Sequence, residues 1–499
     1  MRRRVAWCAA IVLLAFLSIY QQPNYPATWL DEGFVLQGAA NLVTFGRYAL
    51  RSSEGFRPLD QPLLANGPGV VVPIAAAFAV VGAGLLQARL VMAATVLVAA
   101  FLFAWLAKRL YGEAAALISL GLLLAVPAQG FLFYGRQALG NIPALAYFLG
   151  GYLFWVQGLE RRRPLWSVLA GALFGLAMVT KSQYYVVGAA LLAYALLSAL
   201  TLRAAGWRPA LYAGLGAAAV LAAWLAVQAV TLGPAGFAAH VAALRSSSRV
   251  TIMAFRSMRI PGSAWYLVRS GMALFVAPAW AYAAWRCWKE RGQAHAELLL
   301  VVLLPIWVCW YLLASVGWPR YALDPYLIGL LLTGRAALAA VGRLREYRGP
   351  ANWSGRGVRL RFAGLAAVLL VAFCWGLGGL LEQAAQVVAR PDRFAQTFAD
   401  YITTAVDRTV VVESWEWELD ALTDLTYHHP TNDWVDRYTA WTQFGDAVTM
   451  QYAPAAYRPG FLVVGPFAKW TGIYDGYLAQ GCCILEHTSG PYDLYRVRE

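Results

Sequence analysis

Runs of about twenty apolar residues recur from the amino terminus to residue 382, and arginines punctuate them. A run of that length crosses a hydrocarbon layer as a helix. Such runs fall at 5–20, 88–108, 113–131, 143–159, 165–180, 183–201, 209–232, 264–287, 297–316, 321–340 and 362–382. The expected fold is therefore a polytopic α-helical membrane protein of about eleven spans, residues 1–385. With 60% hydrophobic residues, a soluble enzyme is excluded. The opening "MRRRVAWCAAIVLLAFLSIY" has the basic head and apolar run of a signal peptide. No small-residue cleavage motif follows, so it reads as an uncleaved first span.

The net charge of +14 divides unevenly. Residues 383–499 hold fifteen Asp/Glu against eight Lys/Arg, whereas residues 1–382 hold eleven against thirty-two. The basic residues cluster between apolar runs, at Arg2–Arg4, Lys108/Arg109, Arg161–Arg163, Arg203/Arg208, Arg286–Arg291 and Arg343–Arg361. That is the pattern of cytoplasmic loops rather than of a nucleic-acid surface. With a cytoplasmic amino terminus every cluster lies inside, and an odd number of spans puts the tail outside. The apolar stretch 69–86 would invert this order if it spanned. With Pro73 and several glycines it reads as a juxtamembrane or re-entrant helix within a first outer loop, 21–87.

From about residue 390 the composition changes. β-branched runs ("RTVVVES", "GFLVVGPF", "CCILEH", "YDLYRV") alternate with helix-compatible stretches, which predicts a small soluble α/β domain over 390–499. Within it, Trp415, Glu416, Trp417, Glu418 and Asp420 read either as a carbohydrate-stacking platform or as aromatics packed toward the membrane surface. "YHHP" offers two imidazoles without a convincing ligand set around them. Cys482 and Cys483 read as strand cysteines or, in an oxidising compartment, as a vicinal disulfide.

Acids are scarce in the membrane part. Asp31 and Glu32 in "NYPATWLDEGFVLQGA" are followed by only four more in the first two hundred residues. An acid at a membrane edge is costly and calls for a reason. The pair either caps a juxtamembrane helix or does chemistry. The outward surface also carries Arg89, Arg136, Lys181, Arg320 with Tyr321, and a basic loop at 233–263 containing Arg245, Arg249, Arg256 and Arg259. Lys181 reads as a lysine reaching the interface or as a charge on a phosphate. Arg320 reads as an interfacial anchor or as part of the same site. The loop arginines meet lipid headgroups or an anionic substrate. One carboxylate among several cations suits displacement at a carbon bearing a phosphate: the acid takes a hydroxyl proton and the cations hold the departing anion. A single displacement of this kind inverts the carbon.

In order along the chain, "WLDEG", "NGPGVVVPIAAAFAVVGAGLLQAR", "GRQALGNIPALAYF", "GLAMVTK" and "PRYALDPYL" resemble the motifs of the protein O-mannosyltransferase and aminoarabinose transferase family. That family is the glycosyltransferase family 39 type of the GT-C superfamily. The resemblance implies a GT-C fold and a polyprenyl-phosphate-linked sugar as donor. It also implies an acceptor outside the cytoplasm (a lipid, a glycan or a protein), in a bacterial-type plasma membrane. It maps the catalytic aspartate onto Asp31, with Glu32 as support or ion ligand. The second motif departs from the family, carrying Asn141 where an acid is usual. A divalent cation bridging carboxylate and phosphate is possible chemistry, but no dedicated cage is visible in the residues. Two other readings stay open. A polyprenyl-lipid flippase or carrier would need cations on both faces and inverted repeats, and no repeat is evident. A glycan polymerase or ligase would use outer arginines without the early Asp-Glu pair.

Overall fold

The computed structural model describes residues 2–126, 130–202, 206–255, 257–290, 296–347, 356–389, 392–445 and 452–498. A helix occupies every one of the apolar runs read from the sequence. Among the described residues five helices are long and apolar enough to cross a membrane: Leu85–Tyr111, Asn141–Arg161, Ser182–Leu200, Arg208–Thr251 and Pro319–Arg343. A sixth candidate is the pair Ile260–Arg269 and Met272–Lys289, bent by 85°. Others among the described residues are shorter apolar helices, including Glu113–Leu124 and Pro164–Thr180. The stretch 69–86 contributes the 14-residue helix Pro68–Val81.

Close helix contact in this part relies on small side chains. Where Pro164–Thr180 meets Arg208–Thr251, a Cβ on Gly171 would overlap the carbonyl of Ala213, and one on Gly216 the carbonyl of Val168. The second of these helices breaks at Gly233, followed by Pro234. Its outer portion then runs to Thr251 against the tail helix Asn432–Phe444, where Ser247 Oγ donates to Asp436 at 2.9 Å.

The loop after the first helix forms the helix Leu30–Phe45 and the hairpin of β1 (Ala49–Ser52) and β2 (Gly55–Pro58). The tail forms a five-stranded sheet of β3 (Val411–Ser414), β4 (Thr426–His428), β5 (Phe461–Val464), β6 (Cys483–Ser489) and β7 (Tyr492–Val497). Its order is β4-β3-β5-β7-β6, with β3 parallel to β4 and β5 and β7 antiparallel to β5 and β6. The four β-branched runs supply four of these strands. Cys482 and Cys483 are free thiols.

The tail packs directly on the helix Leu30–Phe45. Phe34, Val35 and Leu36 share one buried cluster with Trp415, Trp417 and Tyr474. The Phe34 and Trp417 rings lie 5.0 Å apart. Gln37 Nε2 donates to Asp420 Oδ1 at 2.8 Å. Both indoles are 1% exposed, so they are packing groups and not a stacking platform. Burying each stabilises this contact by roughly 1.5–3 kcal/mol.

Candidate functional site

A cavity of about 760 Å³ lies where the first loop, the apolar helices and the tail meet. Its walls come from the start of Leu30–Phe45, the turn 61–66, the turn around Lys181, the start of Pro319–Tyr347 and the tail helix Asn432–Phe444. Asp31, Lys181, Arg320 and Tyr321 all line it. These four were singled out from three separate segments of sequence, and folding brings them to one chamber.

Asp31 stands in the first turn of its helix, where the macrodipole favours an anion. Its carboxylate contacts the Arg320 guanidinium directly. That guanidinium is framed by aromatic rings, 4.6 Å from the Trp318 centroid and 5.8 Å from that of Trp29. Lys181 lies in the turn after Pro164–Thr180 and is 4% exposed. Its ammonium donates to Asn66 Oδ1 at 2.8 Å, and the same oxygen accepts the Gly140 N–H at 3.0 Å. No carboxylate lies within ion-pair distance of Lys181 among the described residues. The charges of Arg320, Asp31 and Asp324 act on it through space.

Glu32 does something different from its neighbour. It is fully buried, takes Arg89 Nε and Nη2 at 2.9 and 2.7 Å, and accepts the Ala138 N–H at 2.9 Å. Arg89 also donates to the Pro23 carbonyl at 2.5 Å. Arg136 spends its guanidinium on the carbonyls of Leu17, Tyr20 (2.7 Å) and Tyr25 (2.9 Å), closing the end of the first helix. The structure thus places Glu32, Arg89 and Arg136 in the support of the first loop and of the helix that carries Asp31, not on the cavity wall. Their donors and acceptors are consumed in anchoring the first loop, and none of them lines the cavity.

Asn141 lies behind the cavity, fully buried, with Nδ2 donating to Asp324 Oδ2 at 3.2 Å. Tyr184 donates to the other oxygen of Asp324 at 3.1 Å. Asp324 was missed in the sequence, although it stands in "PRYALDPYL" one helical turn after Arg320, on the same face. Arg245 and Arg249 are exposed on the outer portion of their helix. Arg259 bonds Gln443 of the tail and the Val316 carbonyl at 3.4 Å. Arg256 lies outside the described residues. Arg245, expected at the substrate site, does not line this cavity.

In the tail, the adjacent histidines bond acids and a backbone carbonyl through three of their four ring nitrogens, while His428 Nε2 is buried without a hydrogen-bond partner. His428 Nδ1 lies 2.6 Å from Glu413 Oε2, and His429 bridges the Ser414 carbonyl (2.7 Å) and Asp420 (2.6 Å). Among the described residues no group of three His, Cys, Asp or Glu is disposed to hold a metal ion.

The fold is shared with several solved membrane glycosyltransferases. The chain superposes on the crystal structure of ArnT from Cupriavidus metallidurans bound to undecaprenyl phosphate with a TM-score of 0.65 and 15% identity. That match covers 98% of this chain and 97% of the other. The Archaeoglobus fulgidus oligosaccharyltransferase complexed with zinc and sulfate matches with a TM-score of 0.57 and 13% identity, over 92% of this chain and 67% of that one. The oligosaccharyltransferase AglB of the same organism, in complex with an inhibitory peptide and a dolichol-phosphate, matches with a TM-score of 0.54 and 14% identity. It covers 93% of this chain and 69% of that one. More particularly, residues 62–227 match the family model for dolichyl-phosphate-mannose-protein mannosyltransferases, which supports the family 39-type resemblance read from the motifs. No curated protein matches the sequence.

Proposed function

We propose that the chain is an inverting glycosyltransferase that moves a monosaccharide from a polyprenyl-phosphate donor to a hydroxyl of an extracytoplasmic acceptor. The observation that carries this reading is the convergence of Asp31, Lys181 and Arg320 on one cavity between membrane helices and tail. The undecaprenyl phosphate and dolichol-phosphate bound in the structures of the two relatives support a lipid phosphate as the leaving group.

Asp31 and Arg320 neutralise each other across their ion pair. An arriving phosphate competes for the guanidinium, which suits bidentate recognition of phosphate oxygens. It also meets the Lys181 ammonium. Asp31 then regains a free oxygen. The acceptor oxygen attacks the anomeric carbon and its proton passes to Asp31 as the bond from that carbon to the phosphate oxygen breaks. The electron pair leaves with the lipid phosphate, whose charge Arg320 and Lys181 hold. Because the leaving group is already an anion, no general acid is required, in contrast to a glycosidase with its two carboxyls. In this reading the cavity lies at the non-cytoplasmic edge of a plasma membrane, with the amino terminus inside and the tail outside.

The test is Asp31→Asn in the purified full chain. Loss of a positioned general base lowers the turnover number by roughly 10²–10⁴-fold. Binding of polyprenyl phosphate is retained, since the variant frees Arg320. Turnover within about threefold of the parent would remove Asp31 from the role.

A further inference from the structure

Two ionisable side chains beside the chamber are buried without a contacting counter-charge, and they have opposite signs. Lys181 is the cation, with its ammonium on the neutral Asn66 amide. Asp324 is the anion. It is wholly buried, and its two oxygens accept from the Asn141 amide at 3.2 Å and the Tyr184 hydroxyl at 3.1 Å. Among the described residues no Lys, Arg or His lies within ion-pair distance of it. A lone buried ion of either sign is costly. Two of opposite sign at one site offset each other without touching, because a protein interior screens charge weakly.

The same short segments hold both groups. Tyr184 follows Lys181 by one turn, and its backbone N–H donates to the Lys181 carbonyl at 3.0 Å. Asn141 follows Gly140, whose N–H shares the Asn66 oxygen with the ammonium. A Cβ on Gly140 would stand 3.3 Å from Lys181 Cδ, so the lysine stem runs close against this turn. The titratable groups around Lys181 are Tyr184 on its own turn, Tyr134, Asp31, and Arg320, Tyr321 and Asp324 on Pro319–Tyr347. Burial and the Arg320 charge push Lys181 down to about 7, against Asp31 and Asp324. Asp31 is already paired with Arg320, which leaves Asp324 as the acid without a cation in contact. Lys181 lines the cavity and Asp324 does not, so a ligand reaches the cation without displacing the anion.

We infer that Asp324 is a positioning residue for the phosphate site: its carboxylate, held off by Asn141 and Tyr184, is the counter-charge that keeps Lys181 an ammonium and leaves that ammonium unpaired for the donor phosphate. The inference rests on the proposed transferase reading, in which Lys181 holds the departing phosphate. A carboxylate in contact would occupy the cation, as Asp31 occupies Arg320. One set back behind neutral donors supplies the charge and leaves the hydrogen bonds to the ligand.

The experiment is equilibrium binding of undecaprenyl phosphate to the full chain in detergent, with no sugar or acceptor present, for the parent and Asp324→Asn. A nearby opposite charge favours the ionised form by about one pH unit or more. Binding of the variant is therefore expected within about twofold of the parent at about pH 6 and roughly tenfold weaker at about pH 8. Titration of the phosphate itself is common to both chains and cancels in the ratio. A purely structural role would weaken binding by the same factor at both pH values. In a Lys181→Met background, Asp324→Asn has no pH-dependent effect, because the group it acts on is gone. Asn141→Asp combined with Asp324→Asn carries the carboxylate across their 3.2 Å hydrogen bond and restores the parent profile, a readout that stands even where the single variant does not fold. Lys181→Met that binds like the parent removes the phosphate role of Lys181 from the transferase reading itself. If Lys181→Met weakens binding while the ratio for Asp324→Asn is the same at both pH values, or if the double variant still binds weakly at the higher pH, the inference about Asp324 alone is overturned.

Discussion

Lys181→Met separates a substrate-holding charge from a structural one. The Lys181 ammonium is almost wholly buried, and its hydrogen bond goes to a neutral amide oxygen at 2.8 Å. A buried cation without a carboxylate in contact lowers the stability of the empty protein, because desolvation is not repaid by a close partner. Methionine keeps much of the side-chain volume and removes the charge. The empty variant is therefore expected to unfold at a higher temperature than the parent. Donor binding moves the other way. One charge-assisted hydrogen bond to phosphate contributes about 1.5–3 kcal/mol, so the Kd for polyprenyl phosphate rises roughly 10- to 150-fold. Isothermal titration in detergent reads the second effect and thermal unfolding reads the first. If binding weakens by less than about twofold, Lys181 does not hold the phosphate. If stability and binding fall together, it is a structural residue and the cavity assignment loses one of its cations.

Three more outcomes follow from the same contacts. Glu32→Ala strands Arg89 without its bidentate partner and is expected to destabilise the chain by roughly 3–5 kcal/mol in thermal or denaturant unfolding, whereas Asp31→Asn at a more exposed pair costs about 1 kcal/mol or less. Gly33→Ala would drive a Cβ into the Trp417 backbone and undock the tail; the check is faster amide hydrogen exchange over β3 and β4, with unchanged exchange refuting the close contact. The raised Glu416 carboxyl means that the folded tail binds more protons than the unfolded chain between the ordinary carboxylate range and about pH 7. Stability of the ligand-free tail therefore falls as pH rises through that window, by a few kcal/mol, and Glu416→Gln flattens the profile of unfolding temperature against pH.

What was legible in the sequence depended on the range of the interactions involved. Span positions follow from local hydropathy, and a helix lies at each of them. Helix length was less legible, since a run can end in a turn, as Glu113–Leu124 does well short of residue 131. The strands rich in β-branched residues were visible, whereas β4, three residues long, carries too little pattern to see. In the site, Asp31, Lys181 and Arg320 stood out because a charge at a membrane edge is costly wherever it falls. The same rule pointed to Arg89 and Arg136, whose partners are Glu32 and three backbone carbonyls. A guanidinium looks alike in sequence whether it faces a cavity or closes a helix end. Asp324 carried the strongest unused signal, an acid inside a spanning helix one turn from a selected arginine.

The adjacency of Asp31 and Glu32 has a geometric explanation that extends to the next residue. Successive residues of a helix point about 100° apart, so three consecutive positions at the start of Leu30–Phe45 address three surroundings. Asp31 faces the cavity and Arg320. Glu32 faces the buried Arg89 and fixes the helix to the membrane part. Gly33, lacking a side chain, lets the Trp417 backbone approach and brings the tail onto the same helix. The carboxylate assigned to chemistry is thus held between an ion pair on one side and a docked domain on the other. Tail residues Asn432, Asp436, Phe467 and Trp470 complete the wall of the chamber. On this geometry the tail is a part of the site, and its removal should abolish transfer even where the membrane helices remain folded.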